Sequence, residues 1–187
     1  MADQRIQYTE QMVGAGHPSL GDTLNRLPLI SHNSDGYPKL FAAQVHKNGV
    51  DQAGVVDLTT TKVTFSTLAI DPGAGVLVFD DANDRLTPKI AGKWMFHGNV
   101  QILSLGGEKP FTLRIQKNGG ATLYEHEVSS GYAAGNFQDL SCSIRVIMDM
   151  NGTTDYAELF ARHNHGSNRS LAGGVTVSWF EAVFLGA

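Results

Sequence analysis

The most constraining feature of this sequence is a segment in its middle, residues 84–102, in which apolar and polar side chains alternate. It opens as a short extended stretch, turns at a proline and a glycine, and continues as a long strand. The apolar set is Trp94, Phe96, Val100 and Ile102, and the polar set is Lys93, His97, Asn99 and Gln101. Because successive side chains of a strand point to opposite faces, this alternation predicts one buried face and one face that contacts solvent or a partner.

Strand signals continue from Leu40 to the end of the chain. The predicted strands are 40–46, 54–58, 62–70, 75–80, 84–89, 93–105, 111–117, 121–128, 139–149, 154–163 and 174–185. Turn sequences such as Asp71-Pro72-Gly73 and Lys117-Asn118-Gly119-Gly120 separate them. Short strands without a helical period predict an all-β sandwich, jelly roll or barrel.

Composition narrows the class of protein. The chain has 187 residues, enough for one domain with an appendage, and 21 of them are glycine. Charged residues make up only 17% of the chain, which favours much buried surface, including surface between subunits. The net charge of −4 and the lack of a run of lysine and arginine argue against binding to nucleic acid.

The sequence also lacks the segments that direct a protein to or through a membrane. No apolar stretch follows the N-terminus as in a secretory signal, and no apolar run reaches the roughly 18 residues of a transmembrane helix. The single cysteine, Cys142, cannot form a disulfide within the chain and lies in an apolar run, which favours a small strand residue over a nucleophile. We therefore expect a protein made and folded in a cytoplasm, without a membrane partner.

Residues 1–39 differ from the rest of the chain, and 40–187 is the predicted strand domain. The first segment is polar and broken by glycines, with one helical turn predicted between Pro18 and Leu27. Such a segment buries too little apolar surface to fold alone. We expect an arm that becomes ordered by packing on another surface.

The last predicted strand has two apolar faces. Trp179, Val183 and Leu185 point one way, and Phe180, Ala182 and Phe184 point the other way. A sandwich covers one face with its own core, so the second face needs another layer. We predict that Phe180, Ala182 and Phe184 form an interface between subunits. The alternative is a central strand that the protein's own arm or loops cover.

Several pieces of the strand domain resemble the jelly-roll family of the tumour-necrosis-factor ligands and the globular head of the complement first component. Leu86-Thr87-Pro88 and Gly92-Lys93-Trp94-Met95-Phe96 are similar to its Phe-Thr-Pro-x-x-x-Gly-x-Tyr-x-Phe signature. Leu40–Val45, Leu113–Gly119 and Ser178–Leu185 resemble its opening strand, its Lys-Asn-Gly hairpin and its closing strand. The resemblance implies a TNF-like jelly roll that packs as a homotrimer about a threefold axis.

The arm carries a resemblance of its own. Residues 16–26 and 32–36 are similar to an N-terminal segment of many bacteriophage structural proteins and fibres, His-Pro-Thr-Leu-Ala-Asp-Thr-Leu-Asn-Arg followed by His-Asn-x-Asp-Gly. The resemblance implies that the arm attaches the protein to other virion proteins of a capsid or tail. The implied docking residues are His17, Pro18, Leu20, Asp22, Leu24, Asn25 and Arg26.

Two groups of residues have the chemistry of metal ligands. His163 and His165 lie two apart and could bind zinc with His97 or His126, but a polar strand end is the better interpretation, because a loop follows and no cysteine or acidic residue flanks them at ligand spacing. The Asp80–Asp84 loop offers oxygen ligands for calcium, but Asx turns account for the same residues. We expect no metal and no cofactor.

No recognised catalytic motif occurs in the sequence. The acidic pairs Asp155 with Glu158 and Glu125 with Glu127 are the candidates for the two carboxylates of a glycosidase. The first pair faces opposite ways on a strand, and the second is typical of a solvated surface. We therefore expect a protein that is not an enzyme.

Two functions follow from these observations. The first is a virion structural protein, a homotrimer serving as capsid decoration, head fibre or short tail appendage. The alternative is a trimeric receptor-binding adhesin that recognises host surface glycan through the loops 129–138 and 163–173. The side chains suited to sugars in those loops are Tyr132, Asn136, Phe137 and Asn168.

Overall fold

The computed structural model describes residues 41–106, 108–120, 124–129 and 137–186. These ranges contain strands and turns but no helix, and hence no helix that could span a membrane. All of them belong to one compact unit, Leu40–Ala187. The strands are β1 (Ala42–His46), β2 (Gln52–Val55), β3 (Thr61–Lys62), β4 (Thr67–Ile70), β5 (Leu77–Asp80), β6 (Arg85–Pro88), β7 (Ala91–Gly106), β8 (Pro110–Lys117), β9 (Tyr124–Ser129), β10 (Phe137–Asn151), β11 (Ala157–His163), β12 (Arg169–Leu171) and β13 (Trp179–Gly186).

The strands form two antiparallel sheets. The larger sheet has the order β2-β12-β7-β13-β1-β4, and β10 also pairs with β7. The smaller sheet has the order β5-β6-β11-β8-β9, and β3 also pairs with β11. The prediction of an all-β sandwich of antiparallel strands is confirmed.

The hydrophobic core includes residues from both sheets. Trp94, Phe96 and Phe180 of the larger sheet and Leu159 of the smaller sheet are each 0% exposed. A Cβ atom at Gly98 of β7 would lie 2.8 Å from the Leu159 side chain, so the two sheets approach closely there. The alternation of β7 thus divides it as expected, with Trp94, Phe96, Val100 and Ile102 in the core and Lys93, His97, Asn99 and Gln101 on the outer face.

The predicted strand 62–70 is two short strands in different sheets. β3 pairs with β11 in the smaller sheet, and β4 pairs with β1 in the larger one. Between them the N–H of Phe65 donates to Oδ1 of Asp84 at 2.7 Å, and the N–H of Ser66 donates to the carbonyl of His46 at 3.0 Å. The chain therefore crosses from one layer to the other here, which a continuous apolar pattern does not reveal.

The region before the last strand also differs from its prediction. Residues 174–178 form a turn, in which the N–H groups of Val177 and Ser178 donate to the carbonyl of Gly174, and the strand begins at Trp179. Arg169–Leu171, predicted as part of a loop, is the strand β12 and pairs with both β2 and β7. Its three residues are too few to show a periodic pattern.

A buried lysine makes the stability of this unit depend on pH. Lys47 is 3% exposed, and its Nζ donates to Oε1 of Gln52 at 3.0 Å and to the carbonyl of Thr64 at 2.8 Å. Burial, partly offset by the charges of Asp84 and Asp51, lowers the pKa of Lys47 from its ordinary 10.5 to about 8. Between these values the unfolded chain binds more protons than the folded one, so the contribution of Lys47 to stability rises with pH.

The variant Lys47→Met tests this linkage, because it removes the titrating group and keeps much of the apolar stem. We expect the free energy of unfolding of the wild type, relative to Lys47→Met, to be flat below pH 8 and to increase from about pH 8 towards 10.5. Urea unfolding of both proteins across this range measures the difference. A difference that stays constant over the window would contradict the assignment.

Candidate functional site

The outer face of the larger sheet carries the side chains that point away from the core. On β13 the alternation places Phe180 and Ala182 in the core, where each is 0% exposed within one protomer. A side chain without accessible surface cannot contact a second subunit, so the interface predicted at these two residues is wrong. Phe184 is partly buried, and its ring centroid lies 5.3 Å from that of Trp94 in the same protomer.

The opposite side of β13 is the one that a partner can reach, and it belongs to an apolar row. The strand register aligns Val183 with Ala42 on one neighbouring strand and with Met95 on the other, and aligns Met95 with Ile147. Ile147 is 53% exposed, and Leu185, farther along β13, is 50% exposed. An apolar row across four strands of one surface is typical of an interaction site.

A polar row runs beside the apolar row. The register aligns Gln44, Glu181, His97 and Arg145 across the same four strands. Nε2 of Gln44 donates to Glu181 at 3.4 Å, Nδ1 of His97 lies 3.1 Å from Oε1 of Glu181, and Nε2 of His97 lies 3.1 Å from Oγ of Ser143. Because Glu181 and His97 already have partners, another subunit could cover these two side chains without leaving them unpaired.

The two rows have different flanks. Beside the polar row, the Trp179 ring meets the His97 ring edge-on, with centroids 4.6 Å apart. Beyond the apolar row, Lys93 and Asp149 form an ion pair at 2.9 Å with side chains 61% and 79% exposed, so it is solvated. The face therefore has an apolar row and a polar row side by side, with an aromatic ring beside the polar row and a solvated ion pair beyond the apolar row.

Sequence reasoning did not identify the polar row. The polar positions of β7 were visible in the alternation, including His97. However, the partnership of His97 with Glu181 depends on the register between β7 and β13, which are more than 70 residues apart in the chain. The only signal in the sequence was a glutamate inside the otherwise apolar segment Trp179–Leu185.

Comparison with known proteins bears on the fold. No protein-family profile and no curated protein matches the sequence. Among solved structures, Eiger TNF from S. frugiperda matches with a TM-score of 0.58 at 14% identity, over 79% of this chain and 93% of that chain. Murine APRIL at pH 5.0 matches with a TM-score of 0.53 at 14% identity, over 79% of this chain and 100% of that chain. Murine APRIL at pH 8.0 matches with a TM-score of 0.54 at 15% identity, over 77% of this chain and 98% of that chain.

The fold is a TNF-like jelly roll. This confirms the fold that the residue resemblance implied. The jelly roll covers the described residues, whereas the predicted docking residues lie outside them: His17, Pro18, Leu20, Asp22, Leu24, Asn25 and Arg26. Residues 130–136 of the predicted glycan loop also lie outside the described part of the chain, and the second predicted loop contains β12.

The Asp80–Asp84 loop joins β5 to β6 at the edge of the smaller sheet. Asp80 accepts hydrogen bonds from Nδ2 of Asn83 and Nε of Arg85, both at 2.9 Å. The bond from Asn83 and the charge of Arg85 hold the pKa of Asp80 below its ordinary value, whereas burial raises the pKa of Asp84. These contacts favour the turn interpretation of the loop. Within the described residues no group of three or more His, Cys, Asp or Glu side chains is arranged to hold a metal ion.

The two histidines at the end of β11 bind other parts of their own chain. His163 is 1% exposed, with Nε2 3.0 Å from the carbonyl of Val55 and Nδ1 3.4 Å from Oδ1 of Asp57. The N–H of His165 donates to the same Asp57 oxygen at 2.7 Å. His97, considered as a further zinc ligand, belongs to the polar row. The contacts of His163 and His165 fasten the end of β11 to residues 55–57.

The remaining chemically interesting side chains also have partners within the protomer. Cys142 is 1% exposed, and burial raises the pKa of its thiol to about 11, so the nucleophilic thiolate is scarce near neutral pH. Each of the four candidate catalytic acids contacts a basic or hydroxyl side chain. The pairs are Asp155 with Lys117 at 2.7 Å, Glu158 with Lys62 at 2.5 Å, Glu125 with Arg114, and Glu127 with Thr112.

Proposed function

We propose that this protein is a homotrimeric accessory component of a bacteriophage virion, displayed as a jelly roll and attached by its N-terminal arm. The proposal of a trimer rests on the outer face of the larger sheet. In one protomer Ile147 on this face is 53% exposed, next to Met95 and Val183. Covering such an apolar row with identical rows from two further copies removes it from water.

The polar row gives the proposed interface its specificity. His97 and Glu181, with side chains 15% and 24% exposed, are held by contacts within the protomer. A second copy that packs over them need not supply their partners, but a misaligned copy would place apolar side chains on the polar row. Mismatched pairings of this kind cost free energy, so the two rows favour one alignment of the subunits.

The virion role rests on the arm. Residues 16–36 carry the resemblance to phage structural proteins, and their apolar residues are spaced too widely to form a core. Ordering such a segment costs conformational entropy that a partner surface can offset. Three arms on one trimer would bind together, so avidity makes the attachment firm even when each arm binds weakly. The proposal covers a position on the head or on the tail, and the copy number per particle distinguishes them.

Deleting residues 1–36 tests the role of the arm. We expect a soluble, folded trimer that no longer attaches to particles lacking the protein, because the jelly roll keeps its core and its outer face. Leu24→Asp should weaken attachment in part, since it places a charge in the docking strip. Leu58→Asp is the control, because Leu58 lies on the jelly roll and is 52% exposed. Normal occupancy of particles by the truncated protein would show that the jelly roll itself is the docking surface.

A further inference from the structure

An open surface cavity of about 560 Å³ lies at one end of the smaller sheet, against β5, β6 and the loop that joins β10 to β11. It belongs to a different sheet from the proposed subunit interface. Its volume is within the roughly 300–1,000 Å³ of small-molecule sites. The side chains that matter for its chemistry are Asp80, Asp81, Arg85, Thr87, Lys89 and Tyr156.

Arg85, which lines the cavity, is held in place by contacts with Asp80 and Tyr156. The register of β5 and β6 places Asp80 opposite Arg85 and Val78 opposite Thr87. The guanidinium donates from Nε and Nη2 to Oδ2 of Asp80 at 2.9 and 2.8 Å, and its Cζ lies 4.5 Å from the centre of the Tyr156 ring. A guanidinium held on two sides loses little conformational entropy when a ligand binds, so Arg85 is preorganised.

The rim of the cavity adds hydroxyl groups and two further charges. Lys89 Nζ donates to the carbonyl of Thr153 at 3.0 Å, which fixes the ammonium at the edge of the loop. The hydroxyl of Thr154 accepts a hydrogen bond from Asn151 at 2.9 Å and can still donate. Asp81 is exposed at the rim and supplies a second carboxylate. Donors and acceptors therefore lie side by side around a partly buried aromatic ring.

The balance of charge decides the class of ligand. Two carboxylates, Asp80 and Asp81, face two cations, Arg85 and Lys89, so the site carries no net charge and favours neither phosphate nor a metal cation. An apolar ligand would leave this polar lining unpaired. A neutral sugar matches it, because each hydroxyl both donates and accepts and the ring C–H groups can pack on an aromatic face. We propose that this cavity is a binding site for a neutral saccharide.

This saccharide site does not depend on the proposed virion role. Its residues belong to one protomer, so a monomer could bind sugar weakly, and a trimer would present three sites and gain avidity for a repeating glycan. The site also differs from the loops 129–138 and 163–173 favoured by the sequence. The Arg85–Tyr156 stack joins residues about 70 apart in the chain, which explains why residue pattern alone did not indicate it.

Methyl-labelled threonine in the full-length chain tests the proposal, because Thr87, Thr153 and Thr154 all line the cavity. The protein is titrated separately with glucose, galactose, mannose and N-acetylglucosamine at millimolar concentrations, and with inorganic phosphate and calcium for comparison. We expect at least one sugar to shift these methyl resonances saturably, and neither phosphate nor calcium to do so. Thr87→Val, which removes one hydroxyl at nearly constant volume, should weaken binding about tenfold.

Thr67→Val on β4 of the larger sheet is the matched control and should bind as the wild type does. If Thr87→Val disturbs the fold, the exposed Asp81→Asn replaces it, with the same expected loss. The proposal is overturned if none of the four sugars shifts the cavity methyls, or if phosphate or calcium shifts them instead. It is also overturned if Thr87→Val, or Asp81→Asn in its place, binds as tightly as Thr67→Val.

Discussion

Replacing Val183 with aspartate is expected to convert the proposed trimer into a folded monomer. Val183 lies in the apolar row between Ala42 and Met95, on the outer face of β13. In a monomer the new carboxylate would reach water, so the core stays intact. In the proposed trimer it would be buried without a partner, and we expect assembly to weaken by about 100-fold or more.

Val175→Asp is the matched control, because it makes the same change at a loop position that is 47% exposed. Sedimentation velocity at micromolar concentration, with circular dichroism as a check on folding, compares the two variants. The control should sediment with the wild type. A Val183→Asp protein that remains a stable trimer would remove the outer face of the larger sheet from the interface.

Phe180→Ala is expected to have the largest effect on stability. Phe180 is 0% exposed, and its ring lies about parallel to those of Phe65 and Phe96, with centroids 6.2 and 6.0 Å away. Truncating it removes buried apolar surface and leaves a cavity, at a cost of about 3–5 kcal/mol in the free energy of unfolding. An aspartate at this position should unfold the protomer rather than dissociate a folded trimer.

Phe184→Ala on the same strand serves as the comparison. Phe184 is only partly buried, so we expect a smaller loss of stability than for Phe180→Ala. Chemical denaturation of both variants, extrapolated to water, gives the two free energies. The assignment of Phe180 to the protomer core would be contradicted if Phe180→Ala lowered the free energy of unfolding less than Phe184→Ala does. Folded monomers of Phe180→Ala would also contradict it.

The fold was predictable because its longest strand is simple. In β7 the core-facing and outward-facing residues separate cleanly, and a stretch such as Trp94–Ile102 has no helical alternative. Glycine-rich turns then marked most of the other boundaries. The crossing between β3 and β4 was not predictable, since Val63 and Phe65 are buried and continue the alternation through the bend. Pairing with different sheets is a tertiary property that local residues do not encode.

The interface face was harder to predict for a physical reason. β13 is apolar on both sides, and alternation shows that two faces exist without showing which one meets the core. The pairing of Ala182 with Phe96 determines which face of β13 meets the core, because it places both residues in the interior. The saccharide cavity depends in the same way on a contact across strands, between Arg85 and Tyr156. Residues that act through such contacts have no signature in a single sequence.

Electron cryomicroscopy of purified particles made from the genome that encodes this chain tests the proposed role as a trimeric virion protein. We predict threefold-symmetric densities on the particle surface, into which three jelly rolls fit with the β7 and β13 outer faces turned towards the threefold axis. A segment of the arm should continue from each jelly roll into the underlying capsid or tail protein. Particles that lack the protein would overturn the virion role, and particles that carry it as isolated single copies would overturn the trimer.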